Sequence, residues 1–218
     1  KTLIEPFRIK SVEPIRMTSR ADRERLLTEA RLNVFKLRAD DVLIDWLTDS
    51  GTGAMSSRQW GAIMEGDESY AGARSFYRLE KVIQDITGMP HFVPTHQGRA
   101  AEKVLFSAVC KAGELVPNNC HFDTTRGNLE SMGVEALDLV IAEGLQPALA
   151  HPFKGNIDLA RAEEVLKTQG QRIPFGMLTV TNNTGGGQPV SMANIRAYAA
   201  LLKKFGKPFV MDVCRFSE

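Results

Sequence analysis

The sequence predicts an α/β fold: an open, mostly parallel sheet with helices on both of its faces. Short apolar runs typical of strands alternate with helical patterns of about 10–15 residues. With 218 residues, the chain is long enough to bury a substantial core. Polar groups follow four of the apolar segments, and ligands bind at the carboxyl ends of strands in sheets of this kind. The polar ends of these segments therefore predict the position of a ligand-binding site.

Composition narrows the class of protein. The chain has 27 basic and 26 acidic residues, a formal net charge of +1, so it lacks the positive excess that favours nucleic acid or an anionic membrane surface. No apolar run approaches the roughly 20 residues of a membrane helix, and the first residues show no signal-peptide pattern. The three cysteines match neither a disulfide framework nor a zinc spacing. We expect a cytoplasmic globular protein with no nucleic-acid or membrane partner.

The first third of the chain begins as an irregular arm, residues 1–20, and a charged helical pattern runs from Asp22 to Phe35. The apolar run Val42–Leu47 then breaks into a loop, residues 48–53, rich in hydroxyls and glycine. This loop either turns the chain or offers backbone amides to a ligand. A helix that stops at Gly88 follows. Its apolar residues at helical spacing are Phe76, Leu79, Val82, Ile83 and Ile86.

The stretch 94–102 predicts a strand, a turn and a helix in succession. The apolar pair at 92–93 stops at Pro94, and a helical pattern opens at Arg99. Unpaired N–H groups and the helix dipole at such a start suit an anion, and Gln97 and Arg99 add donors suited to phosphate. An ordinary capped helix with one exposed arginine is the alternative. The residues predicted along one face of this helix are Val104, Leu105, Ala108 and Val109.

Further along, residues 123–125 predict a polar turn and Leu137–Ile141 predicts a strand. Asp158 caps a helix. Strands at 176–181 and 208–211 flank a helix that begins after Ser191 and ends at Gly206. The residues of this last helix predicted to face inward are Met192, Ile195, Ala199 and Leu202.

The four polar strand ends together suggest one ligand class. They provide an anion cradle, an aromatic face, an amide donor and a carboxylate, which suit a phosphorylated, flat, protonatable heterocycle. Pyridoxal phosphate fits this description, because its pyridine nitrogen needs an acidic partner to stay protonated. The residues are Gln97, Gly98, Arg99, Phe122, Asp123, Asn183, Asp212 and Arg215.

Several long motifs resemble the tryptophanase/tyrosine phenol-lyase family of β-eliminating lyases. They are Glu-Pro-Phe-Arg-Ile-Lys-Ser-Val-Glu at 5–13, Leu-Thr-Asp-Ser-Gly-Thr-Gly-Ala-Met at 47–55, Gly-Asp-Glu-Ser-Tyr-Ala-Gly at 66–72, Pro-Thr-His-Gln-Gly-Arg at 94–99, Phe-Lys-Gly-Asn-Ile-Asp at 153–158, Gly-Gly-Gln-Pro-Val-Ser-Met-Ala-Asn at 186–194 and Met-Asp-Val-Cys-Arg-Phe at 211–216. The resemblance implies a pyridoxal-phosphate enzyme of the aspartate-aminotransferase type, fold type I. It further implies an arm and first part of a small domain at 1–50, and the N-terminal part of a truncated large cofactor-binding domain at 51–218.

The resemblance also implies a role for each matching position. Gln97, Gly98 and Arg99 would bind the cofactor phosphate, and Phe122 would stack on the ring. Asn183 and Arg215 would lie at the phenolic oxygen, and Asp212 would pair with the pyridine nitrogen. Thr48 and Ser50 match positions near the substrate carboxylate. Tyr70 matches a general acid that reaches a neighbouring subunit's site in a homotetramer, and Gly51 and Glu68 match a potassium site.

The Schiff-base lysine of the family, and the arginine that grips the substrate carboxylate, would lie beyond residue 218. We therefore expect the N-terminal part of a longer carbon–carbon lyase; a short, non-catalytic cofactor-binding or scaffold protein is the alternative. Asp123 and Phe216 resemble the tryptophanase version of the family, which favours L-tryptophan as substrate over L-tyrosine. The simpler interpretation of Asp123 is a cap at the start of the following turn.

Overall fold

The computed structural model of the chain describes residues 16–45 and 55–215. Contacts divide the chain into two compact units, Lys1–Met89 and Pro90–Glu218, which we describe in turn. The α-helices are α1 Arg20–Glu29, α2 Ser57–Met64, α3 Arg74–Thr87, α4 Gly98–Val109, α5 Asp123–Glu130, α6 Leu159–Gln169 and α7 Met192–Lys204. The strands are β1 Leu115–Asn118, β2 Glu135–Asp138, β3 Gly176–Thr179 and β4 Phe209–Asp212. Short 3₁₀ turns lie at Val34–Lys36, Ala39–Asp41, Ala142–Leu145 and Gly170–Arg172.

The first unit is helical in its described part. Ser19 and Asp22 form a reciprocal capping box at the start of α1, and Ser56 and Gln59 form another at the start of α2. The left-handed Gly88, with a φ of 70°, ends α3. None of the three helices has a fully buried side chain among the described residues.

The second unit contains two parallel strand pairs. β1 pairs with β2 in the register Leu115↔Glu135, and β3 pairs with β4 in the register Gly176↔Phe209. Each pair is connected through a helix, α5 in the first and α7 in the second. This β–α–β connectivity is the arrangement that parallel strands require.

Two apolar clusters cover the two faces of these strands. Leu115 and Leu178 face the cluster formed with α6 and α7, whereas Val116 and Met177 face the cluster that contains Phe106 of α4 and Leu129 of α5. Neighbouring residues of a strand point to opposite faces, so each strand contributes to both clusters. The predicted parallel α/β sheet with helices on both faces is confirmed.

The side chain of Asn119 joins the two strand pairs. Strands β1 and β3 lie side by side. Asn119 Oδ1 accepts the backbone N–H of Thr179 at 2.9 Å, and its Nδ2 donates to the Thr179 carbonyl at 3.0 Å and to the Gly155 carbonyl at 2.9 Å. All three Asn119 bonds are buried, so this amide satisfies backbone groups that would otherwise cost free energy.

Most of the helix predictions are confirmed, including the caps Asp158 and Ser191 and the stop at Gly88. The predicted polar turn at 123–125 is wrong, because these residues open α5. The apolar pair at 92–93 lies outside any strand, and the strand predicted at 137–141 lies at 135–138. The first helix ends at Glu29, earlier than predicted.

The predicted inward faces of two helices also need correction. In α4, Val104 and Val109 are exposed, and Phe106 is the buried residue. In α7, Met192 is exposed, whereas Tyr198 is fully buried and its hydroxyl lies 3.4 Å from the Pro117 carbonyl. The predicted boundary near residue 50 lies outside the described residues and stays a prediction. Among the residues described, no helix is long and apolar enough to cross a membrane.

Candidate active site

The amino end of α4 presents the predicted anion cradle. Gln97 is the N-cap with extended backbone angles, and its carbonyl accepts the N–H groups of Ala100 and Ala101 at 3.0 and 3.2 Å. Gln97, Gly98 and Arg99 are exposed. The first N–H groups of a helix have no intrahelical acceptor, so those at the start of α4 are directed toward solvent or a ligand. A Cβ built on Gly98 would meet no atom within 4 Å, so the space above this backbone is open.

The amino end of α5 lies beside the first turns of α4. Phe122 is its N-cap and is half-buried. Asp123 is exposed, and its Oδ1 accepts the backbone N–H of Thr124 at 2.5 Å. Its side chain thus satisfies one of the first N–H groups of α5. Asn128 Nδ2, in the second turn of α5, donates to the Arg99 carbonyl at 3.4 Å, which connects α5 to the start of α4.

Asp212 ends β4 at the same side of the sheet. Burial raises the pKa of its carboxyl group, and the nearby Glu102 charge raises it further. Asp212 Oδ1 accepts the Cys214 N–H at 3.2 Å, and the Arg215 N–H donates to the Val180 carbonyl at 3.2 Å. The chain after β4 is thereby attached to the end of β3.

The loop after β3 carries two neighbouring asparagines with different environments. Asn182 is buried, donates to the Cys120 carbonyl and accepts the Thr184 N–H at 2.8 Å. Asn183, the residue predicted for the site, is exposed, and its carbonyl accepts the Gly186 N–H at 2.9 Å. Asn182 therefore positions this loop against the segment that leads to Phe122.

The other predicted residues belong to the first unit. Glu68 and Tyr70 are exposed there, and Thr48, Ser50 and Gly51 lie outside the described residues. Their neighbour Asp67 accepts the N–H groups of Arg74 and Ser75 at 2.8 and 3.0 Å and so caps α3. Among the described residues, no group of three or more His, Cys, Asp or Glu side chains could hold a metal ion together.

The sequence did not predict a cluster of charged and polar side chains that lies next to Phe122. His121 is buried, and both its backbone N–H and its Nδ1 contact Asp138 Oδ1, at 2.8 and 2.7 Å. Arg126 donates to Asp138 Oδ2 at 2.7 Å. Although burial acts to raise the pKa of Asp138, the hydrogen bonds from His121 and the charges of His121 and Arg126 outweigh it, and the pKa is lowered. The three residues fix the β1–α5 connection immediately before Phe122.

Comparison with known proteins identifies the family. The family model described as Beta-eliminating lyase matches residues 45–218. A tryptophanase of Hyphomonas neptunium is 65% identical over 218 residues, which are 100% of this chain and 48% of that protein. A tyrosine phenol-lyase of Symbiobacterium thermophilum is 49% identical over 215 residues, 98% of this chain and 47% of that protein. The chain thus spans about half the length of the curated relatives it matches.

Solved structures support the fold. An aspartate aminotransferase from Rhodobacter sphaeroides superposes with a TM-score of 0.51 at 20% identity, over 72% of this chain and 40% of that one. A pyridoxal-phosphate-bound C–S lyase from Staphylococcus hominis gives a TM-score of 0.51 at 12% identity, over 72% and 39%. Over about 72% of its length, this chain therefore has the fold of these fold-type-I enzymes. Together with the family match, this shows that the chain belongs to the beta-eliminating lyase family and is tryptophanase-like in sequence.

Proposed function

We propose that this chain is part of a pyridoxal-phosphate-dependent carbon–carbon lyase that converts L-tryptophan to indole, pyruvate and ammonia. The observation that supports it best is the position of Asp212 at the end of β4, where its carboxyl group interacts with Glu102 near the amino ends of α4 and α5. The activity is proposed for the full-length protein, since this chain matches about half of its relatives' length.

The described residues fit the cofactor. The open space above Gly98 lets a phosphate approach the backbone closely, and the first N–H groups of α4 and Arg99 supply donors and positive charge. When bound, pyridoxal phosphate supplies a protonated ring that withdraws electrons from the substrate α-carbon. Phe122, at the start of the adjacent helix, would offer an apolar face to that ring.

Asp212 would hold the proton of the ring nitrogen. A half-buried carboxylate whose pKa is raised by burial is a stronger base than an exposed one, and a cationic ring would stabilise its charged form. We assign Arg215 and Asn183 to the phenolic oxygen of the cofactor on the family resemblance. Asn183 is exposed here, which leaves its amide available to a ligand.

The preference for tryptophan rests on Asp123. An exposed carboxylate at the amino end of α5 could accept the indole N–H and orient the ring. Its bond to the Thr124 N–H would persist in either case, because a carboxylate accepts several hydrogen bonds. L-Tyrosine is the alternative substrate, since a tyrosine phenol-lyase is among the relatives.

Further assignments extend the proposal to the assembly. Thr48 and Ser50 would contact the substrate carboxylate, and Gly51 and Glu68 would bind potassium. Tyr70, exposed in the first unit, would act as a general acid in the active site of a neighbouring subunit of a homotetramer. Mixing full-length Tyr70→Phe and Asp212→Ala proteins should restore part of the activity through hybrid sites. No recovery after verified subunit exchange would contradict sharing.

The main experiment measures pyruvate release by the full-length protein with pyridoxal phosphate and potassium. We expect kcat/KM to be higher for tryptophan than for tyrosine, and Asp123→Thr to lower this ratio. A wild-type preference for tyrosine would select the alternative substrate. No pyruvate from tryptophan, tyrosine or S-alkyl cysteines would favour a non-catalytic cofactor-binding or scaffold protein instead.

A further inference from the structure

Glu102 lies between the two helices that form the candidate site. Its carboxylate accepts the Thr125 hydroxyl at 2.5 Å, the Thr124 hydroxyl at 3.3 Å and Asn128 Nδ2 at 3.1 Å. Glu102 belongs to α4, whereas the three donors belong to α5. One side chain from the second turn of α4 therefore contacts both turns of α5.

The connection is strong for a contact between surface helices. Thr125 is fully buried, so its hydroxyl cannot exchange Glu102 for water. Hydrogen bonds to an ionised acceptor are shorter and about twice as strong as neutral ones. Three donors that converge on one carboxylate also restrict its rotamer, and we expect them to resist sliding of α5 along α4.

The connected turns carry the two halves of the proposed cofactor site. Arg99 precedes Glu102 by three residues in α4, and Phe122 precedes Thr125 by three residues at the start of α5. Residues three apart within a helix lie on the same side, so Arg99 and Glu102 share one side of α4, while Phe122 caps the turn of α5 that contains Thr125. The separation of Glu102 from Thr125 therefore determines the separation of the phosphate cradle from the residue proposed to stack on the ring.

We propose that Glu102 is a positioning residue that sets the spacing between the phosphate-binding end of α4 and Phe122 through Thr125. This inference rests on the proposed function. A ligand with both a ring and a phosphate gains affinity only if the two subsites are correctly spaced, because the second contact is then intramolecular. Loss of the spacing should weaken such a ligand while leaving its separate halves almost unaffected.

The test uses ligands that bind reversibly without an aldehyde. Full-length apoprotein is titrated with pyridoxine 5′-phosphate, with pyridoxine and with inorganic phosphate, by calorimetry or NMR. The variants are Glu102→Gln, Thr125→Val and their double mutant. Thr125→Val keeps the Glu102 charge, so it separates the hydrogen bond from the electrostatic effect of Glu102 on Asp212. Thr125→Ser restores the hydroxyl.

We expect each single variant to bind pyridoxine 5′-phosphate at least tenfold more weakly and to bind pyridoxine and phosphate within twofold of wild type. The double mutant should match the weaker single variant within twofold, because Glu102→Gln removes the acceptor charge of the Glu102–Thr125 contact and Thr125→Val removes its donor. Thr125→Ser should recover most of the affinity. Glu164→Gln, a change of an exposed charge on α6, is the control and should bind all three ligands normally.

Equal losses for all three ligands, or an unchanged affinity for pyridoxine 5′-phosphate, would overturn the positioning role while leaving the cofactor site in place. If Glu102→Gln does not fold, the Thr125→Val and Thr125→Ser pair decides between the same outcomes. Wild-type apoprotein that fails to bind pyridoxine 5′-phosphate would instead contradict the proposed function, and the inference with it.

Discussion

The Nδ1 atom of His121 lies 2.7 Å from Oδ1 of Asp138, and the same oxygen accepts the His121 backbone N–H at 2.8 Å. The imidazole is buried, and its Nε2 has no hydrogen-bond partner among the described residues. A buried donor that loses its acceptor costs free energy, so Asp138 stabilises the β1–α5 connection more than its own exposure suggests.

Asp138→Asn should lower the free energy of unfolding of the full-length protein by about 1–2 kcal/mol at neutral pH. The Asp138 side chain is 37% exposed, which screens its charge and keeps the loss at the lower end of this range. Because the folded-state pKa lies below the ordinary 3.8, the stabilisation is present above that value and is lost as the pH falls through the folded-state pKa. Denaturant unfolding at several pH values should show the gap between variant and wild type narrowing in acid.

His121→Asn is the matched variant for this pair. Asparagine keeps a donor near the Nδ1 position and lacks the Nε2 atom, so it should be more stable than His121→Leu, which leaves Asp138 with only the backbone bond from residue 121 and the bond from Arg126. Equal stability of the two variants would show that the ring bond to Asp138 contributes little.

Gly98→Ala separates a ligand effect from a folding effect. The added Cβ meets open space, and alanine is the better helix former, so stability should change by between zero and about +1 kcal/mol. Affinity for pyridoxine 5′-phosphate should fall at least tenfold, because the methyl group occupies the space proposed for the phosphate. Gly127→Ala, in α5 with equally open surroundings, should leave binding unchanged. Normal binding by Gly98→Ala would remove this glycine from the cradle.

Asp212→Asn should have opposite effects on folding and on binding. Burial raises the pKa of Asp212, so its ionised form is disfavoured in the folded apoprotein above about pH 4. A neutral amide should therefore leave apoprotein stability unchanged or raise it by up to about 1 kcal/mol. Affinity for pyridoxine 5′-phosphate should fall at least tenfold, and a thermal shift with and without that ligand measures both quantities. A variant that binds normally would exclude Asp212 as the partner of the ring nitrogen.

Asn119→Leu should be strongly destabilising. It leaves the N–H and C=O of Thr179 and the Gly155 carbonyl without their buried partner, at a cost of about 3 kcal/mol in the free energy of unfolding. The exposed Asn183, changed to Ala, should cost less than about 0.5 kcal/mol. Chemical denaturation of the full-length variants checks the difference, and similar losses at both positions would contradict the role of Asn119.

The sequence predicted elements whose signals are local. Asp158 and Ser191 cap helices as expected, because a cap depends on a side chain and backbone N–H groups two or three residues away. Helix α5 escaped prediction because it buries only Thr125 and Leu129 and therefore has no apolar periodicity. Strand β1 was not predicted, because it contains Pro117 and a proline within an apolar run argues against a strand.

The positioning contacts could not be predicted for a different reason. Glu102 and Thr125 are 23 residues apart, and His121 and Asp138 are 17 apart. Such pairs meet only after the strands and helices have assembled, and no spacing rule indicates them. The inward faces were mispredicted because tertiary packing selected Phe106 of α4 and Tyr198 of α7, and the valines of α4 stayed exposed.

The contact of Asn119 with Thr179, which joins the two strand pairs, has a consequence for the order of folding. Each parallel strand pair spans a short stretch of chain, 115–138 or 176–212, and can form from contacts of moderate sequence separation. The bonds of Asn119 to Thr179 join residues 60 positions apart, so the loop-closure entropy of uniting the pairs falls on that step. Mutations at Asn119 should therefore slow the step that brings the two strand pairs together, whereas mutations within one pair should slow the pairing of its two strands.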